Sequence, residues 1–160
     1  MPSSPKSPAF DPLSVAPRVG SSYPAVFAAA TAGRIKRRLG DHGGLKNFGI
    51  NHVTLPPGNA SALRHWHSLQ DEFVMVLSGE LTLVTDAGEQ VLGPGMCAAF
   101  PAGRPDGHAL VNRSGAEATY IEIGDRTDPD EVDYPDVDMQ VRWIDGEEHF
   151  VRRSDGTPYD

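Results

Sequence analysis

The chain has 160 residues, of which 39% are hydrophobic and 22% charged, with a formal net charge of −8. These are the proportions of one globular domain with a real core. The negative charge opposes a nucleic-acid or anionic-membrane partner, which would be repelled on encounter, and no stretch approaches the roughly 18 consecutive apolar residues of a membrane helix.

The first residues, MPSSPKSPAF, lack the apolar centre of a secretory signal, so a cytoplasmic protein is expected. Met1 to about Val19 is rich in Pro and Ser without periodicity and reads as an arm. From Pro24 the alanine-rich run AVFAAATAGRIKRRLG predicts a short helix, stopped at Gly40, with the basic cluster Arg34 to Arg38 on its solvated face. Residues 1–44 are therefore taken as an N-terminal arm with a short helix.

The β region begins at Leu45, and its first strand ends at Pro56-Pro57-Gly58. Gly79, Gly88, Gly93-Pro94-Gly95, Gly103, Gly107 and Gly115 then separate short runs rich in valine, leucine, isoleucine and aromatics. Short strands with frequent turns imply an all-β sandwich or barrel, spanning 45–125, with an apolar-walled mouth for a small ligand. The single cysteine, Cys97, lies in the apolar run from Met96 to Phe100 and is expected in the core as a free thiol.

Inside this region lies RHWHSLQDEFVMVLSGE. Side chains alternate along a strand, so His65 and His67 share one face and Trp66 takes the other. Glu72 is five residues beyond His67, an odd offset, so a turn through Ser68–Asp71 is needed to bring it to the same face. Two imidazoles and a carboxylate with positions left open are the donors of non-haem iron and open zinc sites. His108 is available as a fourth ligand. Asn112 shares its face and is expected to close hydrogen bonds near the strand end. Tyr120 and Glu122 share a face of ATYIEIGD and, with His52, are the candidate acids and bases beside the metal.

After Gly124 the chain turns acidic and proline-bearing, without the spacing of an EF-hand loop. Residues 126–160 read as a tail packed by Trp143 and Phe150 on the barrel or on a second subunit, with a hairpin turn at Asp145-Gly146.

Gly58, His65, His67, Glu72 and Gly79 resemble the first sequence motif of the cupins, and Gly95, Pro101, Gly103, His108 and Asn112 the second. One extra residue between Gly58 and His65, and a four-residue rather than two-residue gap between Gly103 and His108, depart from the pattern without touching a ligand. The resemblance covers about Leu45 to Asp125. DEFVMVLSGELTLVTD, the PAG loop and YPDVD are similar to small bacterial cupins described as uncharacterised or as provisional sugar-phosphate isomerases. It implies a double-stranded β-helix, or jelly-roll, barrel binding one divalent transition metal (Zn, Fe, Mn or Ni) through His65, His67, Glu72 and His108.

Three functions remain open: isomerisation of a sugar or sugar phosphate, non-haem iron dioxygenase chemistry, and metal or metabolite binding without turnover. For a phosphorylated sugar the nearest basic residues in sequence are Lys46, Arg64 and Arg104, and alternation turns Arg64 away from His65. Terminal arms beside open sheet edges predict a homodimer.

Overall fold

The computed structural model describes residues 7–159; the first six residues of the expected arm lie outside them. The rest of the arm gives a 3-10 turn at Pro12–Ser14, β1 (Arg18–Val19), two more 3-10 turns at Ala25–Phe27 and Ala29–Thr31, β2 (Ile35–Arg38) and a single helical turn, α1 (Leu39–His42). The barrel follows with β3 (Phe48–Leu55), β4 (Trp66–His67), β5 (Glu72–Ser78), β6 (Leu81–Thr85), β7 (Gly88–Leu92), β8 (Cys97–Phe100), β9 (Ala109–Val111) and β10 (Ala118–Asp125). The tail adds β11 (Val132–Tyr134), β12 (Met139–Ile144) and β13 (Glu147–Val151). Among the described residues no helix is long and apolar enough to cross a membrane.

The strands form a six-stranded sheet in the order β1-β2-β3-β10-β5-β8, a four-stranded sheet β13-β12-β11-β4, and a three-stranded sheet β7-β6-β9. This is the jelly roll that the resemblance implied, built from the short strands that the glycine punctuation separated. Its core follows from alternation: Val53 and Leu55 of β3, Val74 and Val76 of β5, and Ala118 and Tyr120 of β10 project inward against Leu81, Leu92 and Leu110 of the facing sheet. A second cluster joins Val132, Tyr134, Met139 and Val141 of the tail to Tyr23 and Phe27 of the arm.

Both terminal segments are thus parts of the sheets. β2 pairs with β3, setting Ile35 opposite Thr54 and Lys36 opposite Val53. The helix expected from Pro24 to Gly40 does not form, apart from the α1 turn. A short isolated helix is marginal in water, and pairing with the open edge of β3 outweighs the preference of the alanines. Ala25–Thr31 curls into 3-10 turns instead. Cys97 is also corrected: it is exposed, because β8 turns Ala98 and Phe100 onto the core and Cys97 to the outer face. The hairpin turn at Asp145-Gly146 is present, both residues having positive φ, 53° and 85°.

Gly79 closes the β5–β6 turn with φ +76°, and a Cβ there would lie 2.7 Å from the Glu117 carbonyl oxygen and 2.8 Å from Ala118 Cα. Both obstacles are backbone, so neither can swing aside. Gly79→Ala is expected to lower stability by at least about 2 kcal/mol, read as a fall in the urea midpoint at unchanged slope; an unshifted midpoint contradicts this.

Candidate metal centre

The site is built on a main-chain contact between the two motif segments. His65 N donates to His108 O at 3.2 Å, and His108 N donates to His65 O at 2.9 Å. Residues that exchange both hydrogen bonds across an antiparallel pair put their side chains on the same face, and the two rings lie 4.6 Å apart. Two residues on, His67 returns to that face, its ring 5.2 Å from His65. The turn through Ser68–Asp71 then delivers Glu72 as the first residue of β5.

Glu72 is the common neighbour. Its Oε2 is 3.4 Å from His65 Nε2 and 2.7 Å from His108 Nε2, and its Oε1 is 3.3 Å from His67 Nε2. One donor atom each from His65, His67 and Glu72 lies within 4.8 Å of the others. The four residues singled out in the sequence therefore converge.

Their outer contacts set which ring nitrogen faces inward. His65 Nδ1 is 2.8 Å from the Leu63 carbonyl, so it carries the proton and leaves the Nε2 lone pair toward Glu72. His67 Nδ1 is 2.6 Å from Asp130 Oδ2, so it too carries a proton, and release of the second proton from Nε2 would turn a lone pair toward Glu72. His108 is stacked on Phe100, centroids 3.5 Å apart and planes 1° from parallel. Glu72 Oε2 is buried and accepts no well-aligned hydrogen bond, despite the short approach of His108 Nε2. Proximity without alignment is the relation between lone pairs directed at one point. Three imidazoles and a carboxylate so disposed fit a single divalent transition ion.

The charges agree. Burial alone would raise the Glu72 pKa, but the three histidines hold it well below the usual carboxylate range. Burial would lower His67, yet Asp130 and Glu72 on its two sides push it up to about 10. An imidazolium between two carboxylates is a place where a cation can substitute for a proton.

Asp130 is the residue that sequence reasoning missed. It lies in the acidic tail, 1% exposed. Its Oδ1 accepts from Leu69 N at 2.8 Å and Gln70 N at 3.1 Å, while Oδ2 holds His67. One carboxylate thus fixes both the ring of His67 and the turn leading to Glu72. Trp143, expected to pack the tail, donates its indole N–H to the Asp130 carbonyl at 2.8 Å.

A cavity of about 410 Å³ opens beside the four residues. Tyr120 and Glu122 line it, as alternation allowed. Glu122 Oε1 is 2.5 Å from Lys36 Nζ and accepts from Asn51 Nδ2 at 2.9 Å, and Tyr120 OH approaches Oε2 at 3.4 Å. Burial first, and the Glu122 charge second, raise the Tyr120 pKa well above its ordinary value, so the phenol keeps its proton.

His52 is not brought to the site. It pairs with Ile121, whereas its neighbours Asn51 and Val53 pair with Glu122 and Tyr120; alternation therefore turns it to the outer face, where β2 sets Arg37 opposite it. Of the basic residues weighed from sequence, Arg64 is tied to Asp86 and Asp136. Of the cations that line the cavity, Arg34, Lys36 and Arg126, the first two come from the cluster read as a solvated helix face. Asn112 is structural as expected, donating to Leu55 O at 2.8 Å and Ala116 O at 2.7 Å.

The His67 shift has a consequence for stability. An unfolded imidazole releases its proton near its ordinary 6.5, while the native one keeps it to about 10. The native state therefore holds the extra proton between those values, and stability present below the lower one is lost as pH rises through the higher. In the presence of a chelator the melting temperature is expected to fall progressively across that interval, and less so in His67→Gln. A curve that is the same in both proteins would show that His67 is not so perturbed.

A cupin domain family model matches residues 51–124. No curated protein matches the chain. Among solved structures, a sugar phosphate isomerase of the cupin superfamily from Silicibacter pomeroyi is 49% identical, covers 95% of this chain and 96% of its own, and superposes with a TM-score of 0.89. A protein from Acidithiobacillus ferrooxidans, provisionally assigned as a sugar phosphate isomerase, is 33% identical over 78% of this chain and 79% of its own, with a TM-score of 0.71. The polyketide cyclase RemF from Streptomyces resistomycificus, 21% identical over 76% of this chain and 82% of its own, shares the fold alone, with a TM-score of 0.62. With both motifs meeting inside a jelly-roll barrel, and a relative alike over nearly the full length of each, the chain belongs to the cupin superfamily.

Proposed function

We propose that this protein is a divalent-metal-dependent isomerase of a small sugar or sugar phosphate, with His65, His67, Glu72 and His108 as the metal ligands. The observation that carries the reading is that one cavity holds this donor set together with the Tyr120–Glu122 pair. The Silicibacter pomeroyi relative bears the name of that activity. A bound divalent ion, whether Zn, Fe, Mn or Ni, would polarise the carbonyl of a hydroxy-carbonyl substrate.

The proton transfers fall to the chain's own side chains. Aldose–ketose exchange removes a proton from the carbon beside the carbonyl and returns one to the neighbouring carbon. Glu122 is suited to both. Its Oε1 is engaged by Lys36 and Asn51, while among the described residues Oε2 has only the long contact from Tyr120 and is free to accept a proton. Tyr120 acts as a proton donor to the substrate oxygen. His52, on the outer face, takes no part.

The same donors suit iron, so dioxygenase chemistry is the second reading. Elemental analysis of protein purified without added metal separates the two: full isomerase activity with zinc, manganese or nickel removes the oxygenase, and activity that requires iron and dioxygen removes the isomerase. Stable metal and ligand binding with no product would instead leave a non-catalytic module.

Four further outcomes are expected. His67→Ala loses most bound metal from a folded barrel, and Asp130→Asn weakens metal affinity by about tenfold to a hundredfold, both read by chelator competition; metal content unchanged in His67→Ala contradicts the ligand assignment. Glu122→Gln keeps its metal and loses about a hundredfold or more in kcat; near-normal turnover would exclude Glu122 as the base. Exposed Phe48, Leu77 and Met96, at 40%, 39% and 41% of their surface, support a homodimer, and equilibrium sedimentation is expected to give twice the 17.2 kDa chain mass.

A further inference from the structure

The arm end of the cavity has a charge pattern that the reading above does not use. Arg34 precedes β2 and lines the cavity with Lys36, Ser21 and Ser22. Its position is fixed by the main chain: Nε and Nη2 donate to Gly20 O at 3.2 and 2.9 Å, and Nη1 donates to Ser61 O at 2.6 Å. Three of the five guanidinium N–H groups are used in this way, leaving one on each terminal nitrogen.

These acceptors are neutral carbonyls. Among the described residues Arg34 has no carboxylate partner, whereas Lys36 is paired with Glu122, and Arg126, elsewhere on the wall beside Gly49, is paired with Asp41. A partly buried guanidinium without an anion is costly to desolvate, and an anionic ligand relieves that cost. Its field reaches the wall of the site. Burial chiefly raises the pKa values of Tyr23, Tyr120 and Tyr134, and Arg34 acts against that rise in each. Tyr134 in turn lies 5.8 Å from the His65 ring. Arg34 lines the same cavity as His65, His67, Glu72 and His108.

The overall charge sharpens the point. A protein of net charge −8 repels an anionic metabolite unless a local cation reverses the potential. A rigid fork of N–H groups flanked by hydroxyls suits a phosphoryl group, which accepts hydrogen bonds from several directions.

We propose that Arg34, with Lys36, Ser21 and Ser22, forms a phosphate subsite that anchors a phosphorylated substrate while its carbonyl end faces the metal centre and Glu122. This deepens the isomerase reading and rests on it for the identity of the sugar, but binding of phosphate can be tested without turnover.

The test is titration calorimetry of the metal-loaded full chain with inorganic phosphate, comparing wild type, Arg34→Gln and Arg126→Gln. Arg34→Gln is expected to weaken phosphate by at least about tenfold, while Arg126→Gln leaves it as in wild type. Equal affinity in Arg34→Gln, which binding on the metal alone would give, overturns the subsite. Acetate bound as tightly as phosphate overturns its assignment to a phosphoryl group. Should Arg34→Gln fail to fold, native crystals soaked in tungstate decide: an anomalous peak against Arg34 supports the subsite, and a peak only at the metal centre removes it. Failure of the isomerase reading looks different. Arg34-dependent phosphate binding without conversion of any sugar phosphate leaves the subsite standing and removes the isomerase. Conversion with a KM untouched by Arg34→Gln does the reverse.

Discussion

The reciprocal main-chain hydrogen bonds between His65 and His108 are the constraint on which the site depends. They are one rung of a longer zipper, in which Ser61 N donates to Leu110 O and Gly58 N to Asn112 O, each at 2.8 Å. Asn112, fully buried, ties the end of that zipper to β3 by donating to Leu55 O. The loop from Gly58 to His65 is irregular, yet its backbone is held as firmly as a strand. Residues distant in sequence consequently meet at a separation set by the peptide geometry, independent of side-chain rotamers.

The electrostatics follow from that placement. Three imidazoles surround one half-buried carboxylate, and on the outer side the Leu63 carbonyl holds His65 while the Asp130 carboxylate holds His67. Without that carboxylate the ring of His67 would be free to rotate and the turn to Glu72 would lose two main-chain hydrogen bonds. The tail, which pairs Val132 with His67 through β11, therefore belongs to the centre as much as the barrel does.

Much of this was legible in the sequence, for identifiable reasons. The period-two alternation of a strand required His65 and His67 to share a face and required a turn before Glu72. Glycine and proline punctuation pointed to an all-β sandwich or barrel. The same alternation grouped Tyr120 with Glu122 but could not say which face of β10 was inward, nor that His52 would face out; only the pairing with β3 decides this. Arg34 and Lys36 were misread because an alanine-rich run with basic residues has a helical composition, and composition does not register the open edge of β3 that converts it to a strand. Asp130 was invisible for a simpler reason: it is 63 residues from His67, and nothing local distinguishes it from the acidic residues around it.

The pieces contributed by the two termini differ in kind from the barrel. The region matched by the family model, 51–124, contains all four converging donors, whereas Arg34, Lys36 and Tyr23 come from before it and Asp130, Tyr134 and Phe150 from after it. The four converging donors and the charged and aromatic side chains just named are thus encoded by separate stretches of chain. Under the proposed function such a division would allow evolution, or a designer grafting new flanks, to retune what is bound while leaving the four donors in place, and it makes a protein trimmed to its recognisable domain a poor surrogate for the whole.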